Sequence, residues 1–391
     1  MRLSYKYRIY PNDIQRKALD DSLYLCRYLY NSALQERRSY YKRYGKGISY
    51  HSQSKELKEI TELFPEFKSV YSQTRQQVLM QLDSAFNNFF RRVKAGENPG
   101  YPRFKGRDAF NSISFPQPKA DLSGGGVKRL PNNKLQVFGI PGEIKVWWHR
   151  PFKGRCKQVR LCREGDKYYI VLSCDEVPKE PLAKTGKEVG IDLGITSFIT
   201  TDDGAKLHHP RALKVMSQKL IAAQQIFDRK KKGSKNKLRA KLRLAHLHER
   251  TSNIRKDFLH KTALQLCKDY DKIILEKLDI SAMMQNSDHK DETSLHKSIA
   301  DASWSYFANI LSYKAERADK EVIFVDPKNT SKTCSCCGHV QNMPLEKREF
   351  HCGRCESILD RDVNAAINIK RRGSRLAMSK GISEAHEFIR E

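Results

Sequence analysis

The most informative run of the chain reads Glu188-Val-Gly-Ile-Asp-Leu-Gly-Ile-Thr-Ser-Phe-Ile-Thr-Thr201. It is apolar and rich in β-formers, and Gly190 and Gly194 bound its centre, so it predicts a buried strand. One carboxylate, Asp192, lies in the middle of this apolar run. A buried charge is costly unless a metal ion or another partner compensates it. The ordinary alternative is a strand-end aspartate that caps a turn, and this run alone does not decide between the two.

Two further acids occur in comparable settings. Glu276 interrupts the apolar strand predicted at 271–278, and Asp362 lies near the start of the helix-like segment at 358–369. If the three acids met, they would repel one another and stay protonated unless cations lay among them. Two Mg²⁺ ions bridged by such carboxylates would suit hydrolysis of a phosphodiester. The order strand–hairpin, helices, strand, helix, strand, helix is typical of an RNase H-like sheet, but spacing does not establish that Asp192, Glu276 and Asp362 meet.

The cysteines predict a metal site of a different kind. Five of the ten cysteines crowd between Cys334 and Cys355, and four of them form the pattern C-x2-C-x14-C-x2-C with ligands Cys334, Cys337, Cys352 and Cys355. Zinc prefers four thiolates in a tetrahedron, so this spacing predicts a zinc ribbon. Because sulfur fills all four positions, the zinc is expected to be structural. Cys336 is an extra thiol that could substitute for a ligand or stay free.

Composition points to a polyanionic partner. The chain of 391 residues has a net charge of +28, from 73 Lys and Arg against 45 Asp and Glu. Such an excess favours nucleic acid over a membrane surface. We find no apolar run approaching about 18 residues and no signal-peptide core. The cysteines outside the cluster are scattered, which is typical of a reducing compartment. We therefore expect a soluble, intracellular protein with no membrane partner.

The N-terminal half predicts a strand, then helices, then a β-rich region. Residues 2–10 alternate as a half-buried strand, and Asn12 with Gln15 resembles a capping box that starts a helix reaching Gly45. A helix at 72–93 carries an apolar stripe that we interpret as core. The stripe consists of Leu79, Leu82, Phe86, Phe89, Phe90 and Val93. The Pro- and Gly-rich loop at 98–107 interleaves cations with aromatics. It could contact phosphates or be an ordinary basic turn.

Residues 112–178 show short strands separated by turns, which predicts a small β-barrel with a basic outer face. Of Trp147 and Trp148 we expect packing rather than base stacking. Residues 202–204 predict a hairpin, and the neighbouring histidines 208 and 209 are interpreted as surface residues because adjacent strand residues face opposite ways. Helices are predicted at 211–228 and 235–270, with Leu238 on the apolar side. This basic helical hairpin is a candidate surface for a nucleic-acid duplex, or simply a solvated face.

Several motifs together resemble the TnpB proteins of bacterial and archaeal insertion sequences, which are related to the type V CRISPR nucleases. The resemblance covers nearly the whole chain and rests on these motifs: Val189-Gly-Ile-Asp192-Leu-Gly, Ile274-Leu-Glu276-Lys-Leu, Thr330-Ser-Lys-Thr-Cys334-Ser-Cys-Cys337-Gly, Cys352-Gly-Arg-Cys355, Asp360-Arg-Asp362-Val-Asn-Ala-Ala-Ile-Asn, and the N-terminal Tyr-Arg-Ile-Tyr-Pro and Pro102-Arg-Phe-Lys-Gly. The extra Cys336 inside the first knuckle is a minor departure.

The resemblance implies a multidomain α+β protein. Residues 1–10 and 112–183 would form a wedge-like β-barrel, and 11–111 a helical recognition module. Residues 184–391 would form an RNase H-like (RuvC) α/β nuclease domain, with the zinc ribbon inserted at about 330–358.

The resemblance also implies an RNA-guided DNA endonuclease encoded by a transposon. Asp192, Glu276 and Asp362 would bind two catalytic Mg²⁺ ions and carry the cleavage. The partners would be a guide RNA derived from the transposon end and double-stranded target DNA, cut next to a short flanking motif. The expected location is the cytoplasm of a prokaryotic cell, in association with the nucleoid.

Three other functions remain open at this point. The same architecture could belong to a guided repressor that occupies DNA without cutting, which loss of an acid would favour. A zinc-ribbon DNA-binding protein is a second alternative, although it has no need for acids on buried strands. A transposase that joins DNA through its own acidic residues is the third.

Overall fold

The structure, a computed structural model, describes residues 1–279, 301–344 and 347–388. The chain divides into two units, Met1–Pro178 and Lys179–Glu391, each with its own internal packing. The polar loop predicted at 281–294 and the first residues of the helix predicted from position 298 lie outside the described residues. No helix in the described ranges is long and apolar enough to cross a membrane.

The first unit contains a seven-stranded antiparallel sheet in the order β2-β6-β7-β1-β5-β4-β3. Its strands are β1 (Leu3–Tyr10), β2 (Ser112–Phe115), β3 (Val127–Leu130), β4 (Lys134–Val137), β5 (Ile144–Trp147), β6 (Arg155–Glu164) and β7 (Lys167–Asp175). The alternation predicted for the first strand is confirmed, since Tyr5, Tyr7 and Ile9 are buried. Within the described residues β2 and β3 are edge strands, so hydrogen bonds do not close the predicted barrel.

Three helices pack with this sheet into one hydrophobic core. They are α1 (Asp13–Tyr44), α2 (Tyr50–Leu63) and α3 (Ser72–Lys94). The predicted capping box is confirmed: the Gln15 backbone N–H donates to Asn12 Oδ1 at 2.9 Å, and the Asn12 backbone N–H donates to Gln15 Oε1 at 3.1 Å. Gly45 ends α1 in the left-handed conformation with φ 66°. The Gln15 side chain also donates to the Pro141 carbonyl at 3.0 Å, which attaches the start of α1 to the sheet.

Two predictions about aromatic and apolar side chains in this unit are wrong. Phe90 and Val93 are 59% and 51% exposed, although the stripe on α3 predicted them inward. The last buried side chain of α3 is Phe86, so the final two turns extend beyond the core. Trp147 is 62% exposed, whereas Trp148 packs against the core as predicted. Trp148 follows the end of β5, and its ring packs 4.6 Å from that of the buried Tyr7.

The second unit contains a five-stranded sheet in the order β10-β9-β8-β11-β12. Its strands are β8 (Glu188–Asp192), β9 (Ile199–Thr201), β10 (Lys206–Leu207), β11 (Lys272–Glu276) and β12 (Glu321–Val325). The three strands β8, β11 and β12 run parallel, and β9 with β10 forms the predicted hairpin at 202–204. The mixture of helices and sheets expected from the sequence is thus confirmed.

Helices and a small hairpin surround the five-stranded sheet. They are α4 (Ala212–Arg229), α5 (Lys235–Asp269), α6 (Trp304–Ala318), β13 (Glu349–His351), β14 (Ile358–Asp360) and α7 (Arg361–Phe388). Helix α7 lies against β8 and β11, and two glycines permit this approach. A Cβ at Gly190 would overlap the Ala366 carbonyl oxygen, and one at Gly373 would overlap the Ile274 side chain. The close packing places the start of α7 beside the ends of these strands.

Two further predictions in the second unit are wrong. His209 is buried rather than exposed, because β10 ends before it and its ring packs 5.6 Å from Phe198 and 5.5 Å from Phe258. Burial also lowers the pKa of His209. Its neighbour His208 is exposed as predicted. Leu238, predicted on the apolar side of α5, is 59% exposed, and the first buried residue of that helix is Ala240.

Candidate active site and metal centre

Asp192 and Glu276 lie at the same end of two neighbouring strands. Strands β8 and β11 are parallel, and Ile191 is the register partner of Leu275, so the next residue of each strand is one of the acids. Neighbouring strands lie about 4.8 Å apart. Each acid is the last residue of its strand, and the parallel pairing then sets Asp192 beside Glu276 at the carboxyl edge of the sheet.

Asp362 comes to this edge from the start of α7. The carboxylate of Asp360 accepts hydrogen bonds from the backbone N–H of Asp362 at 3.0 Å and of Val363 at 3.1 Å, and so caps the helix. The Lys206 ammonium lies 2.6 Å from the other Asp360 oxygen. Burial alone would raise the pKa of Asp360, but its hydrogen bonds to Lys206 and to the Val363 amide lower it below the ordinary value. Asp360 therefore fixes the turn that presents Asp362.

Asp192 is buried and lies close enough to Glu276 and Asp362 for their charges to affect its ionisation. Burial first, and then the negative charges of Glu276 and Asp362, raise the pKa of Asp192 to about 8, while Arg361 opposes the shift. Without a cation, Asp192 thus keeps its proton near neutral pH. A group of oxygen ligands that cannot all be ionised at once is suited to a hard divalent cation, which would supply the missing positive charge.

Glu276 is held by a contact that sequence reasoning missed. The hydroxyl of Thr330 donates a hydrogen bond to Glu276 Oε1. Burial raises the pKa of Glu276, and the Thr330 hydrogen bond and the Arg372 guanidinium counteract that rise. Thr330 precedes the first cysteine by four residues, and nothing in its local pattern signals a contact with a strand 54 residues away.

The three acids are less closely grouped than the four cysteines. Among the residues that the structure describes, only the four cysteines 334, 337, 352 and 355 form a group of three or more Cys, His, Asp or Glu side chains close enough to share one ion. The three acids lie near enough to shift the pKa of Asp192 but are not drawn together to that extent.

The four cysteines do form such a group. Their sulfur atoms all lie within 4.8 Å of one another. Cys334 Sγ is 3.7 Å from Cys355 Sγ, and Cys337 Sγ is 3.6 Å from Cys352 Sγ. A tetrahedral ion with bonds of about 2.3 Å would separate its sulfur ligands by about 3.8 Å, so the spacing fits a single metal ion. Cys336 is exposed and lies outside the group.

Helix α7 holds the cysteine loop as well as Asp362. The Ser335 backbone N–H donates to Asn364 Oδ1 at 2.8 Å, and Asn364 Nδ2 donates to the Thr333 carbonyl at 2.8 Å. Asn368 Nδ2 donates to the Thr330 carbonyl at 2.9 Å and to the Thr333 carbonyl at 2.6 Å. The spacing of the two asparagines, four residues apart on a helix, is the sequence signal that could have placed them on one face.

The loop at 98–107, predicted as a possible phosphate contact, exposes two aromatic side chains. In the loop at 98–107, Tyr101 and Phe104 are 42% and 46% exposed. The Arg38 guanidinium lies over both rings, at 5.6 Å and 5.3 Å. The arrangement is compatible with a phosphate-contacting loop and with an ordinary basic turn, so this choice stays a prediction.

Profiles of known protein families match three parts of the chain. Residues 171–287 match a probable transposase family, 304–369 match a Cas12f1-like TNB domain, and 1–46 match a helix-turn-helix domain. In the structure, residues 1–46 form strand β1 and the single long helix α1 rather than two helices joined by a turn. The third match therefore concerns sequence and not helix-turn-helix geometry.

The chain is also similar to curated proteins, in one case over its full length. It is 30% identical over 398 residues to a putative RNA-guided DNA endonuclease of Streptomyces pristinaespiralis, covering 100% of this chain and 94% of that protein. A TnpB-like protein, L79, of Acanthamoeba polyphaga mimivirus is 28% identical over 226 residues, covering 56% of this chain and 43% of that protein. The chain belongs to the TnpB family.

A further curated relative agrees with this assignment. The putative RNA-guided DNA endonuclease InsQ of Escherichia coli (strain K12) is 28% identical over 379 residues, covering 94% of this chain and 91% of that protein. The relation to type V effectors is reflected in the Cas12f1-like profile at 304–369. The resemblance predicted from the motifs is thus confirmed.

Proposed function

We propose that this TnpB-family protein is an RNA-guided DNA endonuclease encoded by a transposon, which hydrolyses target DNA with two Mg²⁺ ions bound by Asp192, Glu276 and Asp362. The supporting observation is the setting of Asp192 at the carboxyl edge of the sheet, where burial first, and then the charges of Glu276 and Asp362, raise its pKa to about 8. When bound, Mg²⁺ supplies an activated water and stabilises the charge that develops on the leaving oxygen.

Each of the three acids would have a separate role at this site. Asp192 would give up its proton as the cation binds and would lie between the other two ligands. Glu276 would be held by the Thr330 hydroxyl, and Asp362 by the helix start that Asp360 caps. These supports would orient Glu276 and the start of the helix that carries Asp362 when the cation binds.

The other parts of the chain would support this nuclease function. Residues 184–391 would form the RuvC-like nuclease domain, and Cys334, Cys337, Cys352 and Cys355 would hold a structural zinc in the ribbon at about 330–358. Residues 1–10 and 112–183 would form the wedge-like domain and 11–111 the recognition module, together holding a guide RNA derived from the transposon end. The net charge of +28 suits a chain that binds both RNA and double-stranded DNA.

Cleavage is expected to follow the guide. Protein expressed from its natural genomic locus should copurify with an RNA. Replacing the segment of that RNA that pairs with the target should redirect cleavage to a DNA that matches the new segment and carries the correct flanking motif. The measurement is sequencing of the copurified RNA followed by cleavage of a target library with randomised flanks. Cleavage that ignores the RNA would contradict the proposal, and guided binding without any cutting would favour the repressor alternative.

The Mg²⁺ requirement is expected to depend on pH. Because the cation competes with the Asp192 proton, whose pKa is about 8, the affinity for Mg²⁺ should rise with pH and level off above that value. One proton released per binding event corresponds to about a tenfold change per pH unit. The measurement is the Mg²⁺ concentration that gives half-maximal cleavage, between about pH 6 and about pH 9. A constant value across this range would contradict the assignment of Asp192 as a ligand.

A further inference from the structure

Thr330 connects the candidate active site to the cysteine loop. It is 4% exposed and lies between the end of β12 and the first cysteine pair. Its hydroxyl donates to Glu276 Oε1, and the Pro327 carbonyl oxygen, at 3.1 Å, is the other acceptor within reach. A hydroxyl has one proton, so it serves one of these acceptors at a time, and an ionised carboxylate is the stronger acceptor.

The backbone of Thr330 is fixed from the opposite side by α7. Asn368 Nδ2 donates to the carbonyls of Thr330 and Thr333, at 2.9 Å and 2.6 Å. Asn364 accepts from the backbone N–H of Ser335, which follows the ligand Cys334 directly. The same two asparagines thus hold both the threonine that contacts Glu276 and the loop that carries the first two cysteines.

We propose that Thr330 is a positioning residue for Glu276, and that the metal-filled cysteine site keeps Thr330 in place, so that loading of the cysteine site strengthens divalent-cation binding at the acids. This inference rests on the proposed function. Residues that orient a metal ligand through a hydrogen bond change metal affinity when removed, although they do not touch the ion. The Thr330 bond orients Glu276 through Oε1, so its loss frees the carboxylate to rotate.

The test uses full-length protein with the cysteine site loaded with zinc and Mn²⁺ as the probe of the acids. Binding is measured from the electron paramagnetic resonance signal of free Mn²⁺, which requires no cleavage. Thr330→Val, which keeps the shape but removes the hydroxyl, should weaken Mn²⁺ binding by about tenfold, and Thr330→Ser should restore it to within about twofold of the wild type. In cleavage assays the half-saturating Mg²⁺ concentration should rise by the same factor, with a smaller change in the rate at saturation.

Thr333→Val is the matched control, because the Thr333 hydroxyl donates to the Asn329 carbonyl at 2.7 Å and does not contact Glu276. It should bind Mn²⁺ like the wild type. Equal loss in Thr333→Val and Thr330→Val would overturn the proposal, since any loosening of the loop would then suffice. Unchanged affinity in a folded Thr330→Val protein would overturn it as well.

Removing zinc tests the second half of the proposal. Zinc-depleted wild type should bind Mn²⁺ about tenfold more weakly than zinc-loaded protein, and added zinc should restore the affinity. Affinity independent of zinc would overturn the coupling. Asp192→Ala distinguishes this inference from the function on which it rests: if that variant binds Mn²⁺ like the wild type, the acids are not the site and both proposals fail. If it loses binding while Thr330→Val does not, only the role of Thr330 fails.

Discussion

Asp192→Ala is expected to lower the rate of Mg²⁺-dependent DNA cleavage by at least about a thousandfold, because the central ligand of the cations is removed. RNA binding should be unchanged, since Asp192 lies at the edge of the sheet in the second unit and supplies no positive charge to a phosphate backbone. The measurements are single-turnover cleavage of a matched target and RNA affinity by filter binding.

Stability provides the control for this variant. An ionised Asp192 is disfavoured in the folded chain, where its pKa is about 8. In the unfolded chain the carboxyl ionises near its ordinary value of 3.8, so metal-free wild type loses stability as pH rises between these two values. Removing the carboxyl should therefore not lower the melting temperature at neutral pH. Glu321→Gln, at the opposite end of the parallel strands, should cleave normally. Persistent cleavage by Asp192→Ala would refute the site.

Cys352→Ser is expected to release the metal from the cysteine group and to lower the melting temperature of the second unit by more than about 5 °C. Cys352 Sγ lies 3.6 Å from Cys337 Sγ, and its loss leaves three thiols for an ion that prefers four. Metal content by mass spectrometry and thermal denaturation are the measurements. Unchanged metal content and melting would contradict the assignment.

Cys336 provides the comparison for that experiment. It is exposed and lies outside the group of four, so Cys336→Ser should retain the metal and the melting temperature of the wild type. If Cys352→Ser keeps some metal and loses it when Cys336 is also replaced, the extra thiol substitutes as a ligand. That outcome would decide between the two roles left open for Cys336.

Features that depend on neighbours in the chain could be predicted from the sequence. The capping box of Asn12 and Gln15 is confirmed because both hydrogen bonds join residues three apart. Two strands were predicted from their short apolar runs and are present, but each ends at its acid, whereas the sequence placed Asp192 in the middle of its run and Glu276 within its strand. Their parallel pairing sets the acids side by side. The C-x2-C spacing predicted a metal-binding group because each pair is local, and the four sulfurs do meet.

Features that depend on distant packing could not be predicted. The contact between Thr330 and Glu276 joins a turn to the end of β11, 54 residues away, and no local pattern encodes it. The burial of His209 depends on two phenylalanines from other elements. Phe90 is exposed because α3 extends beyond the core that covers Phe86. The hydrophobic periodicity of α3 cannot show where a neighbouring element ends. Local sequence patterns predict whether a segment forms a helix or a strand, whereas contacts with neighbouring elements determine which side chains near its ends are buried.

The most direct measurement is an anomalous-scattering map of Mn²⁺ in crystals of the protein with its guide RNA. We expect two Mn²⁺ peaks with oxygens of Asp192, Glu276 and Asp362 within about 2.3 Å. Saturating Mn²⁺ that gives no peak at these carboxylates, in a complex still able to cleave DNA, would contradict the account.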